Sequence, residues 1–440
     1  MALAHVQMPL LLAADTKHFE LSLLVLGCVL VAGALVSGIA GRTVLSLTSV
    51  FVLIGFVLGP GVTGALHFDA RSPFVGDLAI VALIVILFRD GLEVDAETLQ
   101  QHWALPLRKL VLAMPLTALI VAAATKLLTD LTWTECFLLG ALLSPTDPVL
   151  SSAVITNPRV PQAIRHSLNL ESGLNDALAL PAVLALASAL TVSGQHFVWW
   201  RFVLQDVLVG LAFGLLVGFV AARLMPRAKD TTEPGIPPHQ RSLYALGTAF
   251  AAYGLAVIPP RGNGLIAVFV AAITLGIRRP DIRGYFEHQA EDILEIVKLG
   301  IFLVFGSLLT LHGLFSDGWA AVAIAAATLL LARPIAVFVA LVGTATSRAD
   351  RGFMAWFGPK GVGTMTFALL VLSENIKHGT RIFNLAALTV FVSIIAHGLT
   401  DTAGVDWIAR RYERPRPISG RAGASDRGSS PAGSPPERRR

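Results

Sequence analysis

Charge is what this sequence has least of: Asp, Glu, Lys and Arg make up 14% of its 440 residues, against 54% hydrophobic. Soluble domains carry charge on roughly 25% of positions, so a water-facing globular surface is excluded. Mean hydropathy is +0.69, and apolar windows of about 20 residues recur, each long enough to cross a ~30 Å hydrocarbon core as a helix. Strict apolar–polar alternation is missing as well, which excludes an outer-membrane barrel. Cysteine is nearly absent. Cys28 and Cys136 both fall in apolar windows and read as small packing residues, not as a disulfide or metal pair. A basic region ahead of the Leu10-Leu11-Leu12 run is lacking too, so the first span is expected to act as an uncleaved anchor.

Positive charge in excess is confined to one end. From Arg410 onward nine Arg stand against Glu413, Asp426 and Glu437, a net of +6 where the whole chain has +5. The remainder is close to neutral, and the basic balance argues for no nucleic-acid partner.

What is present is a series of thirteen candidate helices, at about 20–41, 44–60, 74–92, 108–129, 133–156, 167–191, 202–224, 242–259, 264–278, 291–311, 318–343, 352–374 and 382–403. The expected class is an all-α polytopic membrane protein. An extracytoplasmic segment, 1–19, precedes a transmembrane domain, 20–404, and an Arg/Pro/Ser-rich tail, 405–440, has the composition of a disordered segment. With the C-terminus in the cytoplasm and the N-terminus outside, inner loops hold fourteen basic residues and outer loops seven. That bias sets the orientation of a multi-pass protein of the cell (inner) membrane.

Two spans are interrupted. The fifth carries Pro145 and Pro148 around Thr146-Asp147; the twelfth carries Gly358-Pro359-Lys360-Gly361-Val362-Gly363. Proline removes a donor and clashes with the preceding turn, so each should unwind in mid-membrane. Such backbone is tolerated in lipid only where it packs in protein or lines a wet cavity. The two breaks lie seven spans apart, as expected for two inverted six-helix repeats joined by the seventh span, and paired broken helices point to a secondary-transporter site. Ordinary kinks are the alternative, although a charge accompanies each break.

On the sixth span Ser172 and Asp176 are four apart, as are Glu171 and Asn175, so each pair shares a helical face. Asn175 and Asp176 are adjacent. Hydroxyl, amide and carboxylate oxygens thus gather near one point, the ligand chemistry of a monovalent cation, and freed carbonyls at Thr146-Asp147 can add to it. Asp147 either ligates or caps a half-helix N-terminus. A lone carboxylate in hydrocarbon costs at least ~2.5–3.5 kcal/mol, so Asp176 needs an ion, a proton or a partner. Asp90, between Arg89 and Glu93, reads as an interfacial charge cluster or an accessory to the site. Lys298 reads as structural, paired along its helix with Glu295 or Glu291; Arg89, Arg333 and Lys360 also lie inside spans and need buried partners.

The runs Ser-Pro-Thr-Asp-Pro-Val at 144–149, Glu-Ser-Gly-Leu-Asn-Asp at 171–176 and Phe-Gly-Pro-Lys-Gly-Val-Gly at 357–363 resemble the monovalent cation:proton antiporter family of the NhaP and sodium/proton exchanger type. The resemblance implies thirteen helices with two crossed broken ones, homodimers, and secondary active exchange of a cation for H⁺ that serves pH homeostasis. It implies Asp176 as exchanging carboxylate, Ser172 and the Thr146 main chain as cation ligands, and Asn175 as the mark of electroneutral members. It further implies an ion pair of Glu171 with the basic residue of the second broken helix, here Lys360. Relatives often place an acid directly after the Phe of span three, where this chain reads Phe88-Arg89-Asp90-Gly91-Leu92. No cofactor is expected beyond the transported Na⁺, or K⁺ or Li⁺, and H⁺. Rival readings are an organic-anion carrier of similar fold, which the acid at the site disfavours, and an intramembrane aspartyl enzyme, for which no Gly-x-Gly-Asp run is present.

Overall fold

The computed structural model describes residues 47–94, 104–147, 152–191, 197–225, 237–258, 261–374 and 376–413, with isolated positions before 47. The segment 1–19, most of the first span, Pro148 and residues 414–440 lie outside the described residues. Among the described residues the fold is helical, with one antiparallel bridge between Thr191 and Ile376. Helices α1 (Leu47–Leu58), α2 (Pro73–Glu93) and α3 (Ala104–Leu128) lead into a short α4 (Trp133–Leu143). After α5 (Ser152–Ile155) come α6 (Gln162–Leu190), α7 (Trp199–Leu224), α8 (Pro238–Val257), α9 (Gly264–Arg278) and α10 (Pro280–Ser307). The turn α11 (Leu311–Leu314) precedes α12 (Trp319–Ala340), α13 (Arg348–Trp356), α14 (Val362–Ser373) and α15 (Gly379–Glu413).

Five of these helices, α3, α6, α7, α12 and α15, are long and apolar enough to cross a membrane alone. Both interrupted spans are observed as interruptions. Helix stops at Leu143 and residues 144–147 are non-helical, 148–151 lying outside the described residues; it stops again at Trp356 and resumes at Val362. The halves α4 and α14 have 11 and 12 residues, about 17 Å at 1.5 Å per residue, or half a bilayer core. Local chemistry sets their ends. Thr132 and Glu135 form a capping box at the start of α4, and Ser347 and Asp350 another at the start of α13, each satisfying orphan N–H groups.

Among the described residues three long helices, α3, α7 and α12, carry a wide π-helical turn, and two of these turns are alike, Lys109–Ala113 in α3 and Thr328–Ala332 in α12. A proline follows shortly after each of these two, Pro115 and Pro334. The proline ring would clash with the carbonyl four residues back, and the wider turn takes up that carbonyl. Lys109 opens one such turn and Arg333 follows the other.

Burial grades inward. Every residue from Val362 to Leu372 of α14 is buried, as is the run Ala82–Phe88 of α2, so these helices sit in the protein interior. The most apolar stretch of α7, by contrast, is only 22% buried, and Trp199, Trp200, Leu215 and Leu216 are exposed on its outer face. Its inner face is the glycine stripe Gly210, Gly214, Gly218, where a Cβ would press within 2.6–2.8 Å of atoms of α9 or of its N-cap Asn263. Close backbone approach of this kind is how helices pack when lipid is as apolar as they are. Cys136 is buried as expected, whereas Cys28 is exposed.

One boundary differs from the sequence reading. The tail was expected from 405, but α15 stays helical to Glu413. Val405, Ile408 and Ala409 are buried, a one-face pattern that composition alone hides. Asp406 pairs with Arg159 at 2.9 Å, and the Tyr412 hydroxyl donates to Asp350 at 3.0 Å.

Candidate cation site at the crossed breaks

The two breaks meet and bind each other. The Asp147 amide donates to the Pro359 carbonyl at 2.8 Å, and the Val362 amide donates to Oδ2 of Asp147 at 2.7 Å. Asp147 thus places its charge on the first amide of α14. In exchange the Lys360 ammonium donates to the carbonyls of Ser144 and Pro145, at 3.2 and 2.9 Å, just beyond the end of α4. Broken helices leave unpaired amides at one end and carbonyls at the other, with a partial charge at each. Here an acid answers the positive end and a base the negative end, each from the opposite break. Lys360 is completely buried, and its own amide donates to Ser393 Oγ at 2.9 Å.

Helix α6 supplies the other wall. Asn175 Nδ2 donates to the Thr146 carbonyl at 2.7 Å and to its Oγ1 at 3.0 Å, pinning the unwound chain. Ser172 donates back to the Asn169 carbonyl at 2.8 Å, which leaves its oxygen lone pairs open. Asp176 is buried, and among the described residues no hydrogen bond or ion pair engages its carboxylate. It lies against Gly363, where a Cβ would overlap the carboxylate. Only a residue without a side chain lets α14 approach this acid.

These groups enclose a cavity of about 20 Å³ lined by Thr146, Asp147, Ser172, Asp176, Val362 and Gly363, and further by Ile86, Arg89, Asp90 and Lys298. Such a space admits one or two waters, or one ion with few waters. A second cavity, of about 10 Å³, shares Thr146, Asp147 and Ser172 and reaches Phe357, Gly358 and Pro359. Of the residues singled out from sequence, Asp176, Ser172, Thr146, Asp147 and Asp90 line the larger cavity. Asn175 does not line it; it braces Thr146.

The expected Glu171–Lys360 pair is absent. Glu171 is held by Lys109, Nζ to Oε2 at 2.7 Å, and by Arg333, Nη1 to Oε1 at 2.9 Å. The Lys109 ammonium also donates to the Ser167 carbonyl, and Arg333 to that of Met354. The reason is position. Lys360 is committed to the carbonyls of the first break, and α3 and α12 deliver two other cations to Glu171. Gly358 of the second break abuts the Arg333 guanidinium so closely that a Cβ there would overlap it. Arg333 is visible as an unpartnered charge within a span; Lys109, which follows Arg108 at the start of the fourth candidate helix, is one of the fourteen basic residues counted with the inner loops.

Lys298 is the other residue missed. In place of a bond to Glu295, its side chain lines the larger cavity while Glu295 is exposed. Arg89, also on that wall, is tied to Asp90 at 2.6 Å and to Glu93 at 3.6 Å.

Residues 28–405 match the family model of the transmembrane sodium/hydrogen exchangers. The chain belongs to the sodium/hydrogen exchanger family. Its members are membrane transporters and not enzymes. Among curated relatives, the K(+)/H(+) antiporter NhaP of Alkalimonas amylolytica is 25% identical over 89% of this chain and 67% of its own. NhaP2 of Shewanella baltica, also named a K(+)/H(+) antiporter, is 25% identical over 90% and 68%. Na(+)/H(+) antiporter 1 of Methanocaldococcus jannaschii is 23% identical over 86% and 88%. The fold is similar to that of the solved sodium proton antiporter MjNhaP1 from M. jannaschii at pH 8, with a TM-score of 0.75 at 19% identity, covering 89% of this chain and 99% of that one. The crossed breaks and the wall of α6 are therefore set in an exchanger-type scaffold.

Proposed function

We propose that this exchanger-family protein swaps one monovalent cation for one H⁺ at Asp176 by alternating access. The observation that carries the reading is the Asp176 carboxylate, buried yet unpaired, in a cavity between two broken helices. A buried charge without a partner is costly, so this group holds either a proton or a cation at any moment. Competition for one carboxylate gives 1:1, electroneutral exchange. Ser172 Oγ and the Thr146 carbonyl complete the ligand set, Asp147 and Lys360 hold the crossing, Asn175 positions Thr146, and Asp90 is accessory. No cofactor enters the cycle.

The architecture we infer is thirteen spans in two inverted six-helix repeats, assembled as a homodimer in the cell (inner) membrane with the N-terminus outside. The recurrence of a π-helical turn before a proline in α3 and α12, each one span ahead of a break, supports the repeats. Na⁺ is the first candidate ion, with K⁺ and Li⁺ as alternatives. The relatives are named for both Na⁺ and K⁺, and hard oxygen ligands suit all three.

The test is dequenching of a pH dye in acid-loaded proteoliposomes on addition of Na⁺, K⁺ or Li⁺, under a valinomycin clamp. Wild type should respond to at least one ion, and Asp176→Asn, still folded, to none. Robust exchange by that variant would sink the assignment; dependence of the rate on membrane potential would sink the 1:1 stoichiometry.

A further inference from the structure

Within the cavity the formal charges are unequal. Asp90, Asp147 and Asp176 contribute three negative charges and Arg89 and Lys298 two positive ones, which leaves one net negative charge with Asp176 ionised. Arg89 is tied to Asp90 and Glu93. Lys298 differs: among the described residues no hydrogen bond or ion pair engages its ammonium, although it stands on the same wall. A cation inside a cation-binding cavity repels the cargo, so its presence there needs a reason. Furthermore, no trio of carboxylate, imidazole or thiolate groups among the described residues is arranged to hold a metal ion. The valence that the cavity accepts is then set by its net charge as well as by its oxygen ligands.

We infer that Lys298 is a specificity-determining residue: its tethered ammonium holds the cavity at a single net negative charge, and so makes it selective for monovalent over divalent cations. This rests on the exchange site proposed above. With Lys298 neutral the cavity carries two net negative charges, matched by Ca²⁺ or Mg²⁺, whose oxygen ligands are the same in kind. Opposite charges attract in proportion to their product, so a divalent ion gains twice what a monovalent ion gains from the same substitution.

The experiment compares wild type, Lys298→Met and Lys298→Arg for inhibition of cation/H⁺ exchange by Ca²⁺ and Mg²⁺ in proteoliposomes. The half-inhibiting concentration should fall at least tenfold in Lys298→Met and return to the wild-type level in Lys298→Arg. Equal sensitivity of all three overturns the inference. A thermal-shift titration of the detergent-solubilised proteins with Ca²⁺ needs no turnover. Ca²⁺ should raise the melting temperature of Lys298→Met alone, and the rise should vanish in Asp176→Asn/Lys298→Met. Persistence of the rise in the double variant, or its absence from Lys298→Met, overturns the inference too. Failure of wild type to exchange any alkali cation would instead remove the antiport reading, and the binding titration would still judge Lys298.

Discussion

Glu171 and Asp176 stand five residues apart on α6, about 140° around its axis, and both are buried. Their surroundings are opposite. Glu171 receives an ammonium and a guanidinium, plus the packing of Gly358 behind the latter. Asp176 receives no hydrogen bond among the described residues, only the bare backbone of Gly363 and a cavity. The first carboxylate is compensated on every side and cannot exchange its partners without disrupting three helices. The second has no fixed hydrogen-bond or ion-pair partner among the described residues, so a mobile ion or proton has to take that place. Residue type and burial are nearly the same; the neighbours across the interface decide which acid locks and which one trades.

The substitutions that break this comparison most completely act on the two acids. Asp176→Asn should abolish exchange and leave thermal stability at or above wild type, because an uncompensated charge is removed. Glu171→Gln should do the reverse first, costing about 3–5 kcal/mol of stability by stranding Lys109 and Arg333, visible as a fall in melting temperature. Equal losses of stability in the two variants would erase the distinction. Next in size is Gly363→Ala. Its methyl group needs the space of the Asp176 carboxylate, so exchange should slow at least tenfold with every charge unchanged, and a rate within twofold of wild type would mean the two breaks separate easily.

Lys360→Met should cost about 2 kcal/mol, since it takes the cation from the carbonyls beyond α4. Chemical denaturation in detergent would measure it, and a loss below a tenth of that would show the carbonyls find other donors. Smallest is Asn175→Ala. Freeing the Thr146 loop should raise the apparent KM for the cation a few-fold with kcat less affected; an unchanged KM would make Asn175 mere packing.

The same contrast explains what could be read in advance. Hydropathy identified an apolar, all-helical chain, and the prolines and glycines at 145 and 358–363 marked both breaks, because these are properties of one segment at a time. Ser172, Asp176 and Thr146 were legible for the same reason: helical spacing and a break put them near one another. The Glu171 partner was not legible. Three cations, Lys109, Arg333 and Lys360, sit in apolar surroundings, and nothing within a single helix says which one faces α6 across the interface. Lys298 was misread through the rule of spacing itself. Glu295 is three residues away, about 60° around the axis, which is far enough for one to lie outside while the other turns into the cavity. Helix α15 ran past its expected end because arginines and prolines nearby weighted the composition, while Val405, Ile408 and Ala409 continued the inward face.

Helix α15 is 35 residues long, about 52 Å at 1.5 Å per residue, against a hydrocarbon core of about 30 Å. Its C-terminal stub packs back on the protein through Val405, Ile408 and Ala409 and is anchored through Asp406 to Arg159 and through Tyr412 to Asp350. Deeper along the same helix Ser393 holds the Lys360 amide and His397 meets the Trp356 carbonyl. One continuous helix therefore joins the second break to the exposed Tyr412. A spectroscopic label on that stub would act as an external pointer, reporting displacement of the break without a probe being placed in the bilayer.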